Sequence, residues 1–291
     1  MILLTGANGQ LGQDFRKLFD RLGVDYIATH RTAVGGCAAL DITDGKAVEE
    51  AVRSIGPRII INCAAYNDVD RAEREREQAF RLNRDAPAHL AREAKRCGAV
   101  FVTFSTDFVF DGRQRTPYKE TDAPNPLNVY GESKLQGERA VLSEYDRVYV
   151  IRTSWAYGLG NKNFTKSVIQ WAREKSELSI VDDQVSSPTY TKDLAEFTWR
   201  LAQSGQYGLY HLSNGGEASK FDQAQYVLDR IGWQGRLRRA KTSDFPLPAR
   251  RAEYTKLDSA KAEGVVGRPM PPWRDALDRF LREMKEAGEL A

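Results

Sequence analysis

Short apolar runs alternate with longer amphipathic stretches from the first residue onward, a pattern typical of parallel sheets with helices on both faces. The run 58–62, Arg-Ile-Ile-Ile-Asn, is almost wholly apolar, as expected of a strand buried on both faces. The sequence therefore predicts an α/β fold built on a Rossmann-like, doubly wound parallel sheet. The predicted strands are Ile2–Thr5, Asp25–Thr29, Ile59–Asn62, Val100–Ser105 and Arg147–Arg152, and the predicted helices are Leu11–Leu22, Asp44–Ser54, Val69–Cys97 (broken near Asp85 to Pro87) and Val129–Leu142.

The rhythm changes after Trp155, where shorter elements and a proline-rich loop follow. We expect a two-domain chain in which residues 1–158 plus 189–213 form the sheet domain. Residues 159–188 plus 214–291 then form a smaller C-terminal α/β domain that caps it. The elements predicted in this half are helices Asn163–Arg173, Thr191–Ala202, Phe221–Ile231 and Trp273–Lys285, with strands Leu178–Val181 and Gly208–Ser213.

Composition excludes several classes of protein. Hydrophobic residues make up 41% and charged residues 29%, and the net charge of +3 is too small to indicate nucleic-acid binding. No apolar run approaches the roughly 20 residues that cross a bilayer, and the N-terminal run lacks the features of a secretory signal. We therefore expect a cytoplasmic protein that binds neither membrane nor nucleic acid. Three cysteines without C-x-x-C spacing predict neither a disulfide framework nor a metal site.

Three glycines separate the first strand from the first helix, in the run 5–12 (Thr-Gly-Ala-Asn-Gly-Gln-Leu-Gly). Such a turn needs glycine for tight geometry, for close approach of the backbone to a pyrophosphate, and for packing of helix on strand. The helix N-terminus then offers free N–H groups to the phosphates. The loop predicts a dinucleotide site, and the alternative is three turn glycines without a ligand. The predicted contacts are Gly6, Asn8, Gly9, Gln10, Leu11 and Gly12.

The end of the second strand sets the preference between nicotinamide cofactors. NAD sites commonly place a carboxylate there, whereas this run is Ala-Thr-His-Arg-Thr (28–32). The Arg31 guanidinium suits a 2′-phosphate, so we predict NADPH, with NADH as the alternative. Arg31 could equally be a solvated loop charge. The other predicted cofactor contacts are His30, Asp41, Ile42, Cys63, Ala64, Ala65, Tyr66, Asn83, Tyr130 and Lys134.

Tyr130 and Lys134 lie four positions apart on a predicted helix and should share one face. A nearby ammonium favours the phenolate, so we expect Lys134 to lower the pKa of Tyr130 and to make it a proton donor for a carbonyl oxygen. Ser105 or Thr106, at the end of the fourth strand, offers a hydroxyl to the same carbonyl. With a dinucleotide loop in the chain, these groups indicate carbonyl reduction. The alternative is a surface Tyr–Lys pair.

These motifs resemble the extended short-chain dehydrogenase/reductases and, within them, the dTDP-4-dehydrorhamnose reductase family. The resemblance covers nearly the whole chain, including the predicted cap. It rests on the runs 105–112 (Ser-Thr-Asp-Phe-Val-Phe-Asp-Gly), 126–134 (Pro-Leu-Asn-Val-Tyr-Gly-Glu-Ser-Lys), 152–157 (Arg-Thr-Ser-Trp-Ala-Tyr), Asp183-Gln184, Pro188-Thr189 and 248–251 (Pro-Ala-Arg-Arg).

The resemblance implies that NADPH delivers hydride to C4 of dTDP-4-dehydro-L-rhamnose in the formation of dTDP-L-rhamnose. It implies that Tyr130 donates the proton, that Lys134 holds the nicotinamide ribose and tunes Tyr130, and that Thr106 binds the carbonyl. Two departures from the family stand out: Phe108 occupies a position that often holds tyrosine, and Ala252 one that often holds proline. The implied substrate-binding residues are Thr106, Asp107, Phe108, Tyr130, Trp155 and Arg250, with Arg251 as the alternative contact to the diphosphate.

Three other readings stay open. A sugar-nucleotide dehydratase usually has Asp-Glu after the threonine, where this chain has Asp107-Phe108, and phenylalanine cannot exchange a proton. A reductase of another 4-keto-6-deoxy sugar nucleotide would share every catalytic residue. An NADP-binding regulatory subunit similar to that of methionine adenosyltransferase would keep the fold without the chemistry. The sequence leaves both a monomer and a homodimer open.

Overall fold

A seven-stranded, all-parallel sheet organises the chain, which is described here by a computed structural model that covers residues 1–290. Its strand order is β11-β6-β5-β4-β1-β2-β3, so the chain runs outward from β1 to one side and then returns to build the other side. The predicted doubly wound α/β fold is confirmed. The strands are β1 (Ile2–Thr5), β2 (Tyr26–His30), β3 (Ala38–Ala39), β4 (Ile59–Asn62), β5 (Val100–Thr106), β6 (Val148–Thr153) and β11 (Gly208–His211).

Helices cover both faces of the sheet, as the apolar strands require. Successive strand residues point to opposite faces, so Leu4 joins one buried cluster while Leu3 joins another. The first face carries helices α1 (Gln10–Leu22), α8 (Thr191–Ala202) and α10 (Ala260–Val266). The second carries α2 (Gly45–Ile55), α5 (Ala86–Cys97) and α6 (Val129–Glu144).

A second apolar core lies in the later part of the chain, centred on Trp273, Phe280 and Tyr190. The division of the chain into two domains at the predicted boundaries stays a prediction. Within residues 1–290, no helix combines the length and apolar character needed to cross a membrane. The elements around this core are β7 (Ala156–Tyr157), α7 (Phe164–Glu174), β8 (Glu177–Val181), β9 (Val185–Ser186), β10 (Thr189–Tyr190), β12 (Ala218–Ser219), α9 (Lys220–Arg230), β13 (Arg236–Ala240) and α11 (Trp273–Glu286).

The single broken helix predicted over 69–97 is wrong in its details. The chain forms α3 (Val69–Ala72) and α4 (Arg76–Phe80), and a π-helical turn over 81–85 then leads directly into α5. Pro87 therefore does not break the helix, because it lies in the first turn of α5, where a missing N–H does no harm. The sequence also gave no sign of β3, β13 or α10, which are short or lack a clear apolar period.

Helix α6 approaches the neighbouring backbone closely at two glycines. A Cβ at Gly131 would overlap the carbonyl oxygen of Phe108, and a Cβ at Gly137 would overlap that of Asn83. These contacts seat α6 against the end of β5 and against the π-helical turn. The helix that carries Tyr130 and Lys134 is therefore fixed by backbone contacts that leave no room for a side chain.

We predict that Gly137→Ala destabilises the protein by about 1–3 kcal/mol, because α6 must move away from Asn83 to admit the methyl group. Gly264→Ala is the matched control. It lies within α10 with nothing near its Cβ position, and it should stabilise by about 0.5–1 kcal/mol through helix propensity. Urea denaturation measures both, and equal stabilities of the two variants would contradict the packing described for α6.

Candidate active site

The order of the strands reverses between β1 and β4, since the chain continues from β1 to β2 on one side and from β4 to β5 on the other. The loops that follow these two strands form the floor of the site. Open parallel sheets bind their ligands at such a point. Gly6 has a φ of 66°, and a Cβ there would lie 2.5 Å from the backbone nitrogen of Ala64. Asn62 locks the two loops together, since its Oδ1 accepts hydrogen bonds from Thr5 Oγ1 at 2.7 Å and from the Ala64 N–H at 3.2 Å. Glycine is required at position 6 both for the backbone conformation and for the space.

A continuous groove runs beneath the glycine loop along the carboxyl edge of the sheet. It consists of two adjoining cavities of about 300 Å³ each, one around Tyr130 and the other around Arg31. Helix α1 begins at this groove, and its N-cap residue Gly9 offers no side chain to the first N–H groups. Those donors are therefore free for a phosphate. The predicted residues that line the groove are Gly6, Asn8, Gly9, Gln10, Leu11, Gly12, His30, Arg31, Asp41, Ile42, Cys63, Ala64, Ala65, Tyr130 and Lys134.

A second arginine, Arg81, lies beside Arg31 at the far end of the groove. Arg31 and Arg81 line one open cavity there together with Asp41. Burial acts to raise the pKa of Asp41, but hydrogen bonds from Thr43 and the charges of Arg81 and Arg31 outweigh it and lower the pKa. Arg81 was missed in the sequence because it comes from the π-helical turn, far along the chain from the second strand. Two guanidinium groups thus face the position expected for the adenosine end of the cofactor.

Thr106 and Tyr130 meet at the opposite end of the groove, in the same cavity as Lys134. Thr106 ends β5, and its hydroxyl donates to Asp107 Oδ1 at 3.2 Å and accepts from the Phe108 N–H at 3.2 Å. The phenol of Tyr130 contacts Asn67 Oδ1 at 3.5 Å. The three residues predicted to be catalytic therefore lie together, and Asn67 joins them as a residue that no motif indicated.

The predicted lowering of the Tyr130 pKa is wrong for this structure. Burial of the phenol raises the pKa to about 12, against a smaller opposing effect of the Thr106 hydroxyl, and the charge of Asp107 adds to the rise. Lys134 does not offset this, because its ammonium donates to the Phe104 carbonyl oxygen at 2.6 Å. Burial in turn lowers the pKa of Lys134 to about 8, with the Glu138 carboxylate opposing the shift. The phenol is consequently protonated at neutral pH.

A buried ion pair supports this end of the site from behind. Arg152 on β6 donates to both oxygens of Glu138 on α6, at 2.9 and 2.7 Å, and both side chains are fully buried. Glu138 also accepts from the Ser105 hydroxyl, so the hydroxyl that was an alternative to Thr106 is already used inside the protein. The Arg152 guanidinium stacks over Phe110 with 5.0 Å between its central carbon and the ring centroid. The pair joins α6 to the strands next to Thr106.

Asp107 connects the sheet to the later part of the chain. Its carboxylate accepts from Thr255 at 2.6 Å, from Ser186 at 3.2 Å and from Thr106. Burial raises the pKa of Asp107 to about 6 against these hydrogen bonds. Because three hydroxyls already occupy the carboxylate, Asp107 acts in this structure as a link between elements. Its predicted contact with substrate stays a prediction.

Trp155 forms the wall shared by the Tyr130 cavity and a small neighbouring cavity. Its φ of 45° is unusual for a residue with a side chain and indicates backbone strain at the site. Phe108 lines the small cavity too, and its ring packs edge-on against Tyr130 with 5.6 Å between centroids. Arg251 lines that cavity while it pairs with Asp70 at 2.7 Å.

Two predicted site residues make contacts that the sequence did not indicate, and a third lies outside the cavities. Gln10 accepts at its side-chain oxygen from the Gly158 N–H at 2.7 Å, which ties α1 to the later part of the chain. Asn83 is buried behind the groove, where its side-chain amide accepts a hydrogen bond from the Tyr66 N–H and donates one to the Tyr66 carbonyl oxygen. Arg250 is exposed and lines none of the cavities described above, and a role for it in binding stays a prediction.

Comparison with known proteins gives a consistent picture. Residues 1–286 match the family model described as RmlD substrate binding domain. The chain is 39% identical over 287 residues to a dTDP-4-dehydrorhamnose reductase of Mycobacterium tuberculosis, covering 96% of this chain and 92% of that one. It is 35% identical over 286 residues to the spore coat polysaccharide biosynthesis protein SpsK of Bacillus subtilis, covering 98% of both. The crystal structure of dTDP-4-dehydrorhamnose reductase from Bacillus anthracis in complex with NADP superposes with a TM-score of 0.91 at 35% identity, covering 97% and 98%.

We predict that Arg31→Ala weakens the binding of NADPH about tenfold, because one charged hydrogen bond to the 2′-phosphate is lost. The binding of NADH, which lacks that phosphate, should not change. Fluorescence titration with both cofactors measures the effect, and Arg53→Ala, an exposed arginine on α2 that lines no part of the groove, is the control. Equal losses of affinity for NADPH and NADH would show that Arg31 does not contact the 2′-phosphate.

We also predict that Arg152→Met lowers the free energy of unfolding by about 3–5 kcal/mol, since it leaves the Glu138 carboxylate buried and unpaired. The exposed pair Arg115–Glu253, at 2.9 Å, supplies the control. Arg115→Met should change stability by less than about 1 kcal/mol. Chemical denaturation measures both variants, and a similar small effect for each would mean that the buried pair does not hold α6 to the sheet.

Proposed function

The chain belongs to the family that the RmlD substrate binding domain model describes, and on this premise we propose that it is a dTDP-4-dehydrorhamnose reductase. The proposed reaction is the NADPH-dependent reduction of the C4 keto group of dTDP-4-dehydro-L-rhamnose to dTDP-L-rhamnose. One observation carries the proposal: Thr106, Tyr130 and Lys134 line a single cavity that continues into the glycine-loop groove. The relatives named as this reductase support the choice of substrate.

The floor of the groove offers bare backbone to a dinucleotide. Gly6 and Gly12 leave the backbone bare where a side chain would collide with neighbouring backbone, and the first N–H groups of α1 carry no side-chain cap. The Arg31 and Arg81 guanidinium groups suit the extra phosphate of NADPH. When bound, NADPH supplies the hydride for the reduction. Every other part of the chemistry then falls to the side chains of the chain itself.

Tyr130 supplies the proton. Its phenol is protonated at neutral pH, as a tyrosine with its ordinary pKa near 10 would be, and burial raises the pKa further to about 12; a protonated phenol is the form that can donate. As the carbonyl carbon is reduced, negative charge develops on its oxygen, and transfer of the phenolic proton neutralises that charge. The Thr106 hydroxyl, which donates to Asp107 Oδ1 at 3.2 Å in this structure, turns to the same oxygen as the second donor and helps to hold the carbonyl in place.

Lys134 shares the cavity with Tyr130, with its ammonium held at the Phe104 carbonyl. Burial lowers its pKa to about 8, which still leaves the ammonium as the main form at neutral pH. The Glu138 carboxylate favours this charged form. Lys134 is also the donor that we propose for the nicotinamide ribose.

A reductase acting on another 4-keto-6-deoxy sugar nucleotide is the second candidate. Phe108 favours it, because this side chain packs on the catalytic phenol and offers no hydroxyl to the sugar. The similarity to SpsK, named for spore coat polysaccharide biosynthesis, agrees with this candidate as well. Oxidation of NADPH with dTDP-4-dehydro-L-rhamnose and with its stereoisomers, with the product configuration determined by NMR, separates the two. No turnover of any 4-keto sugar nucleotide would favour a regulatory subunit and contradict the proposal.

We predict that Tyr130→Phe lowers kcat by at least about 100-fold, the lower end of what a positioned general acid contributes. The binding of NADPH should remain close to wild type, since only the hydroxyl is removed. Tyr26→Phe is the matched control, because Tyr26 lies at the amino end of β2, at the opposite edge of the sheet. Stopped-flow and steady-state NADPH oxidation measure the effect. Turnover by Tyr130→Phe at the wild-type rate would remove Tyr130 from the proposed role.

A further inference from the structure

A lysine that no sequence motif indicated lies against the wall of the proposed substrate cavity. The Lys220 ammonium is 3.4 Å from the centroid of the Trp155 ring and 4.5 Å from that of Phe164. Trp155 lines the cavity that holds Tyr130 and Thr106. The ammonium therefore touches a ring that forms part of the cavity wall.

The backbone holds Lys220 firmly in this position. It is the first residue of α9, directly after the N-cap Ser219, whose side chain forms a reciprocal capping box with Asp222. The Lys220 N–H donates to the Gln184 carbonyl oxygen at 3.2 Å, and β12 pairs with β9 immediately before it. The side chain projects toward Trp155 from a fixed point.

The charge of Lys220 lacks a direct partner within residues 1–290. Its ammonium makes no hydrogen bond or ion pair with the described residues and is half-buried against the two aromatic faces. Burial lowers the pKa of Lys220 to about 7, and the charge of Arg251 adds to this shift while the Asp107 carboxylate, which already accepts from three hydroxyls, opposes it. An ammonium in partly apolar surroundings gains strongly from an oxygen acceptor.

The sugar part of the substrate would supply this oxygen acceptor for the Lys220 ammonium. Asp107 is next in sequence to Thr106, the residue proposed to bind the reacting carbonyl, and Trp155 offers its ring to the same space. An oxygen on the hexose ring therefore reaches this region when the C4 carbonyl is at Thr106 and Tyr130. The diphosphate, which leaves the hexose at C1, lies on the far side of the ring from C4.

From these contacts we infer that Lys220 is a substrate-binding residue that donates a charged hydrogen bond to a hydroxyl of the sugar ring, an inference that rests on the proposed function. The Trp155 ring positions the ammonium and keeps water from it on one side. Lys220 thus adds a determinant of sugar specificity from the later part of the chain, opposite the Thr106–Tyr130 pair.

The test compares the affinities of the NADP-saturated protein for dTDP-L-rhamnose and for dTDP by isothermal titration calorimetry. Lys220→Met keeps the side-chain length and the packing on Trp155. It should weaken the binding of dTDP-L-rhamnose at least about tenfold and leave the binding of dTDP unchanged. In turnover, KM for the keto sugar should rise by a similar factor with little change in kcat. Lys220→Arg, which keeps the charge, should recover most of the affinity. Lys175→Met, an exposed lysine at the end of α7, is the matched control.

Wild-type affinity of Lys220→Met for dTDP-L-rhamnose would overturn the inference, and so would an equal loss for dTDP, which would place the contact at the diphosphate. Lys220→Gln provides a second uncharged variant if Lys220→Met has a lowered Tm. Turnover by the wild-type protein separates this inference from the proposed function. If only the inference fails, the wild type still reduces the 4-keto sugar; if the proposed function fails, the wild type reduces none and the inference falls with it.

Discussion

The close approach of α6 to the carboxyl edge of the sheet is the constraint on which the site depends. Gly131 and Gly137 let the helix touch the backbone at Phe108 and Asn83 with no side chain between them. A comparable contact at Gly6 brings the loop after β1 against the loop after β4. Together these contacts place the phenol, the strand-end hydroxyl and the glycine loop around one groove. A single methyl group at any of them would overlap neighbouring backbone and force the two segments apart.

Electrostatics then sets the state of the groups that packing brings together. Burial raises the Tyr130 pKa to about 12 and lowers the Lys134 pKa to about 8. Both values lie above neutral pH, where the phenol is protonated and the lysine is mainly the ammonium. The buried Glu138–Arg152 pair fixes the charges behind the site and joins α6 to β6. The site therefore combines a protonated donor with a nearby cation, which suits the reduction of a carbonyl.

The sequence predicted the sheet and much of the site because both rest on local patterns. The apolar runs placed five strands to within a residue or so of their ends, and glycine spacing picked out the loop that lines the groove. The sequence could not predict Arg81 or Lys220, since each reaches the site from an element distant along the chain. The sequence could not predict the direction of the Tyr130 pKa shift either. Spacing along a helix indicates that Lys134 is near Tyr130 but not that the Lys134 ammonium turns to Phe104. Packing between distant elements decides such contacts.

The most direct test of this account is a crystal structure of the protein with NADP and dTDP-L-rhamnose bound together. We expect the nicotinamide beside Thr106 and Tyr130, with the C4 oxygen of the sugar within hydrogen-bonding distance of both Tyr130 Oη and Thr106 Oγ1. The phenol would then have exchanged its long contact with Asn67 for the sugar oxygen. A sugar ring bound with C4 away from Tyr130, or a nicotinamide outside the cavity that these side chains line, would contradict the account.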